Sequence, residues 1–281
     1  MNGSTEHIAP ATGYAVDCRA DSAGGITFDI PCDGLPERAV LVLGARGGDG
    51  GGDGGGRADV RLPLMAADDG RRRAVLPSTV ELAEGHWDVR CDTPEADEPL
   101  RTGVRDVRAL VGRVPEAGPV SVRLPYPTAD GGLAVRSWVR EPHAEAGEIH
   151  CLPGAVTVEG VSYGTAGGSG GAVVEARLRG GGLVHRVPAT GRGGVFAFTL
   201  PYRPLARACA GRRQWWDLWL VPGDGLPAAR ISRILDDVWD KRRWTVGPAH
   251  ESAGVSALPC YTEDNGLSVR LEPAHLAAAT S

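Results

Sequence analysis

Pro125-Tyr-Pro-Thr-Ala-Asp-Gly-Gly-Leu-Ala-Val-Arg136 and Pro259-Cys-Tyr-Thr-Glu-Asp-Asn-Gly-Leu-Ser-Val-Arg270 decide how this chain is read. Laid over each other at one offset they agree at Pro125/Pro259, Thr128/Thr262, Asp130/Asp264, Gly132/Gly266, Leu133/Leu267, Val135/Val269 and Arg136/Arg270. Further matches keep the same order along the chain. Ile26-Thr-Phe28 pairs with Val156-Thr-Val158, Leu76-Pro77 with Leu200-Pro201, and Trp87-Asp88 with Trp216-Asp217. Their offsets differ by a few residues, as loops of unequal length require. Collinear matches over this span imply one duplicated domain, a different pattern from short solenoid repeats of about 20–50 residues.

Each copy reads as strands. Ile26–Ile30, Ala39–Leu43, Val60–Leu62, Ala74–Leu76 and Trp87–Arg90 are short apolar or alternating runs between Gly, Pro and Asp clusters. Val195-Phe-Ala-Phe-Thr-Leu200 and Leu267-Ser-Val-Arg-Leu271 have the two-residue period of a half-buried strand. Asp130-Gly131 and Asp264-Asn-Gly266 supply residues that tolerate positive φ, as hairpin turns need. The expected fold is all-β: two tandem immunoglobulin-like β-sandwich domains, each with at most one short helix. That helix is expected where Ile231, Ile234, Leu235, Val238 and Trp239, and in the first copy Val104, Val107 and Val111, fall at helical spacing. The expected divisions are a flexible tail over 1–16, domain 1 over 17–140, a short solvated junction over 141–148, domain 2 over 149–273 and a flexible tail over 274–281.

A length of 281 residues suits two such domains. The net charge of -5 argues against a nucleic-acid surface, which needs a basic excess. Lys241 is the only lysine among 30 basic residues, so the arginine richness reads as a GC-rich genome rather than a binding signal. The 6 cysteines never form a C-x-x-C pair, which leaves no zinc spacing; mostly buried, reduced thiols are expected. No secretion signal is visible over Met1–Asp17, and no run approaches the ~18 apolar residues of a membrane-spanning helix. The expected location is the cytoplasm, any contact with the inner face of the membrane being made through a partner.

The duplication lets one copy interpret the other. In Trp87-Asp-Val-Arg-Cys91 one face carries Trp87, Val89 and Cys91, while the other carries His86, Asp88 and Arg90 and must be wet. The matching strand puts Trp216, Leu218 and Leu220 inward, so Trp215 and Trp219 lie where the fold does not need aromatics. Trp138, opposite Glu272 of the second copy, is a third tryptophan expected outside the core. Two readings of Trp138, Trp215 and Trp219 stay open. They bury a surface between the domains, or they offer an aromatic platform for sugar rings or a protein partner.

Titratable residues are densest at Arg140-Glu-Pro-His143-Ala-Glu145-Ala-Gly-Glu148-Ile-His150-Cys151. His143, Glu145 and His150 are the candidates for a site there, but no H-E-x-x-H pattern exists and an extended segment splays its side chains. Gly47–Gly56 contains G-x-G-x-x-G at Gly50, Gly52 and Gly55, yet a strand-like segment follows instead of the helix that would bind a pyrophosphate. It reads as a hairpin loop, and so does Gly164–Gly171. Asp236, Asp237 and Asp240 before Lys241-Arg-Arg243 fit a helix start. There is no G-x-S-x-G elbow and no nucleophile with a visible base. No cofactor and no metal are expected.

Trp216-Asp-Leu-Trp-Leu220, Pro142-His-Ala-Glu145, Val156-Thr-Val-Glu-Gly160 and Tyr261-Thr-Glu-Asp-Asn-Gly-Leu-Ser-Val269 are similar to β-sandwich domains of actinobacterial cell-envelope polymer enzymes. Those enzymes are teichoic-acid-type glycosyltransferases and CDP-glycerol glycerophosphotransferases. From Cys18 to Pro273 the chain also resembles free-standing actinobacterial proteins labelled "transferase". In the polymer enzymes the chemistry resides in a separate α/β domain, so no catalytic residue is carried over. The resemblance implies a non-catalytic module that binds or scaffolds envelope-polymer glycosyltransferases or their glycopolymer product. The alternatives are a transferase using a nucleotide-activated sugar or glycerol phosphate, and an oligomeric structural module.

Overall fold

The computed structural model describes residues 13–33, 35–47, 58–94, 97–115, 118–164, 171–209, 211–223, 225–242 and 247–274. The hairpin loops expected over Gly47–Gly56 and Gly164–Gly171 lie outside the described residues except for Gly47, Gly164 and Gly171. The expected tails also fall largely outside, although a strand already begins at Ala15. The chain divides into two compact units. Unit 1 is Met1–Val114 with Ser121–Val139, and unit 2 is Arg140–Ser281 with Pro115–Val120.

Almost everything described is strand or loop. Unit 1 runs β1 (Ala15–Ala20), β2 (Ile26–Pro31), β3 (Val40–Ala45), β4 (Val60–Pro63), β5 (Met65–Ala66), β6 (Arg71–Leu76), β7 (Gly85–Asp92), β8 (Asp97–Pro99) and β9 (Arg101–Asp106). After a 3-10 turn at Arg108–Leu110 come β10 (Val120–Pro127) and β11 (Leu133–Arg140). Its sheets are ordered β5-β6-β2-β1-β9 and β10-β11-β7-β3-β4, with β8 on β7. Alternation puts Ile26, Phe28, Leu41, Leu43, Leu76, Trp87, Val89 and Val135 at 3 % exposure or less, a core between two sheets. Burying each such side chain is worth about 1.5–3 kcal/mol.

Unit 2 runs β12 (His143–Leu152), β13 (Ala155–Tyr163), β14 (Val173–Leu178), β15 (Val184–Pro188), β16 (Val195–Pro201), helix α1 (Tyr202–Arg207), β17 (Gln214–Val221), β18 (Ala229–Ser232), β19 (His250–Ser252), β20 (Val255–Tyr261) and β21 (Leu267–Pro273). One path orders β16-β13-β12-β18-β17-β21-β20-β19, with β14 joining β17 to β15. Val156, Val158, Phe198, Leu200, Trp216, Leu218, Val269 and Leu271 form its core.

Strand registers recur at the pairs matched in sequence. Ile26 faces Leu76 and Phe28 faces Ala74 in unit 1, while Val156 faces Leu200 and Val158 faces Phe198 in unit 2. Val135 faces Trp87, and Val269 faces Trp216. Both turns bond alike: Thr128 N–H to Gly132 O and Gly131 N–H to Thr128 O, then Thr262 N–H to Gly266 O and Asn265 N–H to Thr262 O. Gly131 and Asn265 take φ of 86° and 55°, the left-handed conformation that glycine and asparagine tolerate.

Three expectations are corrected. Ile231–Trp239 is not helical: Ile231 belongs to β18, Arg233 N–H donates to the distant Asn265 carbonyl, and Ile234, Leu235 and Val238 N–H bond side chains instead of carbonyls one turn back. The Glu145 carboxylate accepts from Ile234 N and Leu235 N, and Asp236 accepts from Val238 N. Asp236 pairs with Lys241 and Asp240 with Arg242, so these acids brace a loop rather than start a helix. The helix is α1, whose Tyr202, Leu205 and Ala206 are buried and whose Pro204 sits in the first turn, where proline is tolerated. In the first copy the spacing gives β9 and then only the 3-10 turn. Residues 143–148 are not a solvated connection but the start of β12, which pairs with β13 along its length and with β18 in parallel. Finally, all 6 cysteines are free, but only Cys18 and Cys91 are buried. No helix among the described residues is long and apolar enough to cross a membrane.

Candidate functional site

Strand β17 alternates strictly, placing Trp216, Leu218 and Leu220 in the core and Trp215, Asp217 and Trp219 on the opposite face, half-buried. Neighbouring strands supply guanidinium groups to that face. Arg179 and Arg270 lie 5.6 and 5.8 Å from the Trp215 ring centre. Arg177 and Arg230 lie 4.5 and 5.7 Å from that of Trp219. Each arrangement is a cation–π contact, worth about 0.5–1 kcal/mol at an exposed position.

Trp138 differs. Its position on β11 does alternate outward, but it is fully buried, with Arg136 at 5.0 Å from its ring. Period two identifies a face; it does not say whether that face is covered. The matching Glu272 is also buried, held by Arg213 at 2.6 Å and Arg270 at 2.9 Å.

The titratable residues of β12 do not converge. His143 is buried, its Nε2 2.8 Å from Glu145 Oε2 and its ring stacked on Tyr163 at 6.2 Å. Glu145 is saturated by His143, Ile234 N and Leu235 N, a structural assignment. His150 is half-exposed and pairs only loosely with Glu148, at 3.4 Å. Among the described residues no group of His, Cys, Asp and Glu has metal-holding geometry.

Between β17, β18 and the Thr262–Gly266 turn lies a groove of about 520 Å3, with Arg179 just past β14 on its wall. Its centre is Asp217, which accepts from Arg179 Nη2 at 2.6 Å, Arg179 Nε at 3.2 Å, Arg230 Nη2 at 2.9 Å and Ser268 Oγ at 2.7 Å. Burial by itself would raise the Asp217 pKa; the hydrogen bond from Arg179 and the charge of Arg230 outweigh it and hold the carboxyl below 3.8. Arg230 moves the other way, below the usual arginine range, because burial outweighs Asp217 while Arg179 and Arg140 add like charge. Arg140 Nη1 donates to Ser232 Oγ at 2.8 Å. Trp219, Thr262, Glu263 and Asp264 complete the walls.

Unit 1 has a groove of about 550 Å3 at the corresponding turn. There Arg46 Nε lies 3.1 Å from both Asp88 oxygens, as Arg179 grips Asp217. Arg46 and Arg179 each follow the matching strand and donate their N–H to the residue before the Trp-Asp pair, His86 and Trp215. The arginines of these grooves escaped the sequence reading because arginine is everywhere in the chain. The shared Trp-Asp pair was the available signal.

No protein-family model matches the chain, and no curated protein matches it. Among solved structures it is similar to Staphylococcus aureus TarS 217-571, at TM-score 0.31 and 12% identity over 68% of this chain and 56% of that one. It is also similar to S. aureus TarS, at TM-score 0.29 and 12% identity, covering 34% of that chain. A marsupial T cell receptor follows at TM-score 0.22 and 8% identity, over 74% of this chain and 92% of that one. The chain therefore spans about half of the first of these and a third of the second. Likenesses this low do not bear on what the protein does.

Proposed function

We propose that the protein is a non-catalytic tandem of two immunoglobulin-like β-sandwiches that binds a cell-envelope glycopolymer, with unit 2 providing the recognition face. The tandem reading is supported by the matching strand orders and by the registers around Trp87 and Trp216. The observation that carries the binding reading is the outer face of β17, where Trp215 and Trp219 stand half-buried between guanidinium groups. An indole presents a flat apolar face to the C–H side of a sugar ring, and arginines beside it bond hydroxyls or anionic groups. The polymer class comes from the sequence resemblance. Cytoplasmic placement, with contact to the membrane made through a polymer-synthesising partner, belongs to the same proposal.

Isothermal titration with teichoic-acid-type polymers tests it. Saturable binding that Trp219→Ala weakens by about tenfold, near 1.4 kcal/mol, is the expected result. No heat with any such polymer overturns polymer binding. Binding confined to a purified glycosyltransferase would replace it with the scaffolding role.

A further inference from the structure

We infer that the outer face of unit 2 binds a linear anionic glycan along a diagonal track, on which paired arginines meet the charges while Trp215 and Trp219 meet the rings between them. This rests on the glycan-binding reading and names the class of polymer that the face selects.

The track follows from how the carboxylates of this face are paired. Among the described residues each of them is held by two arginines. Glu175 takes Arg177 at 2.9 Å and Arg186 at 2.8 Å. Asp217 takes Arg179 at 2.6 Å and Arg230 at 2.9 Å. Glu272 takes Arg213 at 2.6 Å and Arg270 at 2.9 Å. Burial by itself would raise the Glu175 pKa; the hydrogen bonds from Arg177 and Arg186 outweigh it and hold the carboxyl below the usual glutamate range. The acids are sunk, whereas Arg186 and Arg213 are 67% and 52% exposed. Each triplet therefore keeps one positive charge, turned toward water, in a chain whose net charge is -5.

The matching face of unit 1 is the internal comparison. There Arg46 takes Asp88 and Arg61 takes Asp92, while Arg90 takes both Asp59 and Asp97. Arg136, opposite His86, brings the count to four arginines against four aspartates, so no excess results. In unit 2 the Thr262–Gly266 turn brings Glu263 and Asp264 to the border of the track, with Arg140 on the same wall. Arginines still outnumber carboxylates when these are counted.

Strand register sets the order of the groups. Glu175 lies opposite Trp219 and Arg270 lies opposite Trp215, which puts Glu272 two residues further along. With strands about 4.8 Å apart and a rise of about 3.4 Å per residue, the three carboxylates are roughly 8 Å and 14 Å apart, on a line of about 22 Å. Trp219 falls in the first interval and Trp215 in the second. Charge and indole thus alternate along the diagonal. A linear polymer that carries an anion and a sugar or polyol in each repeat has the same alternation, its C–H faces meeting the indoles.

The test titrates the full-length protein, over a range of sodium chloride concentrations, with three polymers of similar length. Hyaluronan carries a carboxylate on every second ring, dextran has rings without charge, and polyglutamate has charge without rings. Hyaluronan is expected to bind about tenfold or more tightly than dextran at low salt, three exposed ion pairs contributing about threefold each. Its log affinity should fall with log salt at a slope of about −2, for three charges at about 0.7 each. Arg186→Gln and Arg213→Gln should each weaken binding about threefold and reduce the slope by about 0.7. They stand at opposite ends of the track, so their effects add in the double variant. Both side chains are exposed and each leaves its carboxylate a second arginine, so the fold is kept. Arg61→Gln in unit 1 should change neither quantity.

Dextran bound as tightly as hyaluronan, or an affinity that ignores salt, overturns this inference and leaves glycan binding standing. A loss from Arg61→Gln equal to that from Arg186→Gln overturns the placement on unit 2. Polyglutamate bound as tightly as hyaluronan makes the face a site for acidic polypeptides and overturns both readings. Hyaluronan binding without binding of any teichoic-acid-type polymer overturns the polymer class proposed above and leaves the anionic track in place.

Discussion

Asp88→Asn and Asp217→Asn make the same chemical change at the same strand position of the two units, and their costs should differ severalfold. The Arg46–Asp88 pair is open to water, with side chains 43% and 49% exposed. Such pairs contribute about 0–1 kcal/mol, and the amide still accepts from Arg46. Asp217 is 21% exposed and grips Arg230 at 17% exposure, with Arg179 and Ser268 on the same carboxylate. Removing one partner of a buried pair costs about 3–5 kcal/mol. Because Arg179 is nearly half exposed and the amide keeps one acceptor, about 2–3 kcal/mol is expected. Urea unfolding, read by tryptophan fluorescence and by amide exchange in β7 and β17, measures each cost in its own unit. The pH dependence has a defined sign. The folded pKa of Asp217 lies below 3.8, so its contribution is complete above that value and disappears as pH falls through the folded pKa. The gap between wild type and Asp217→Asn should accordingly persist from neutral pH to near 3.8 and close below it. Equal costs for the two variants, or a gap independent of acid pH, would refute the assignment of Asp217 as the buried electrostatic centre of unit 2.

Further outcomes follow from burial and bonding. Trp87→Ala and Trp138→Ala should each cost about 3–5 kcal/mol in urea unfolding, while Trp215→Ala should cost about 1 kcal/mol or less, since only the first two are enclosed. Glu145→Gln replaces one carboxylate oxygen with an NH2 group that cannot accept, leaving a single acceptor for Ile234 N, Leu235 N and His143; a loss of about 1–3 kcal/mol, with faster amide exchange at residues 234 and 235, is expected. A thiol reagent at pH 8 should label Cys32 first and leave Cys18 and Cys91 unmodified until unfolding, because burial pushes the latter two thiols to about 12 and about 11.

What the sequence disclosed, and what it hid, follows the range of the interactions involved. The Thr-x-Asp turns, the inward set around Trp87 and Trp216, and the Leu76 and Leu200 registers are local, period-two patterns, and they appear where expected. Trp138 was misplaced because its cover depends on elements outside its own strand. The helical spacing of Ile231 and Ile234 was misleading because the acceptor of the following N–H groups, Glu145, lies far away in sequence. The groove was invisible for the same reason. Arg230 meets Asp217 because the first half of β18, Ala229 and Arg230, lies antiparallel against β17 before Ile231 and Ser232 pair in parallel with β12.

The parallel partners β1 and β9 give unit 1 a mechanical property. β1 is its first strand, and Ala15, Val16, Cys18 and Arg19 register with Arg101, Thr102, Arg105 and Asp106. Tension along parallel neighbours loads their hydrogen bonds side by side, so that they must shear together instead of unzipping one at a time. In unit 2 the corresponding contact is shorter, Ala144 with Ile231 and Glu145 with Ser232. Stretched end to end in a single-molecule experiment, the protein should extend in two steps, unit 2 yielding at the lower force.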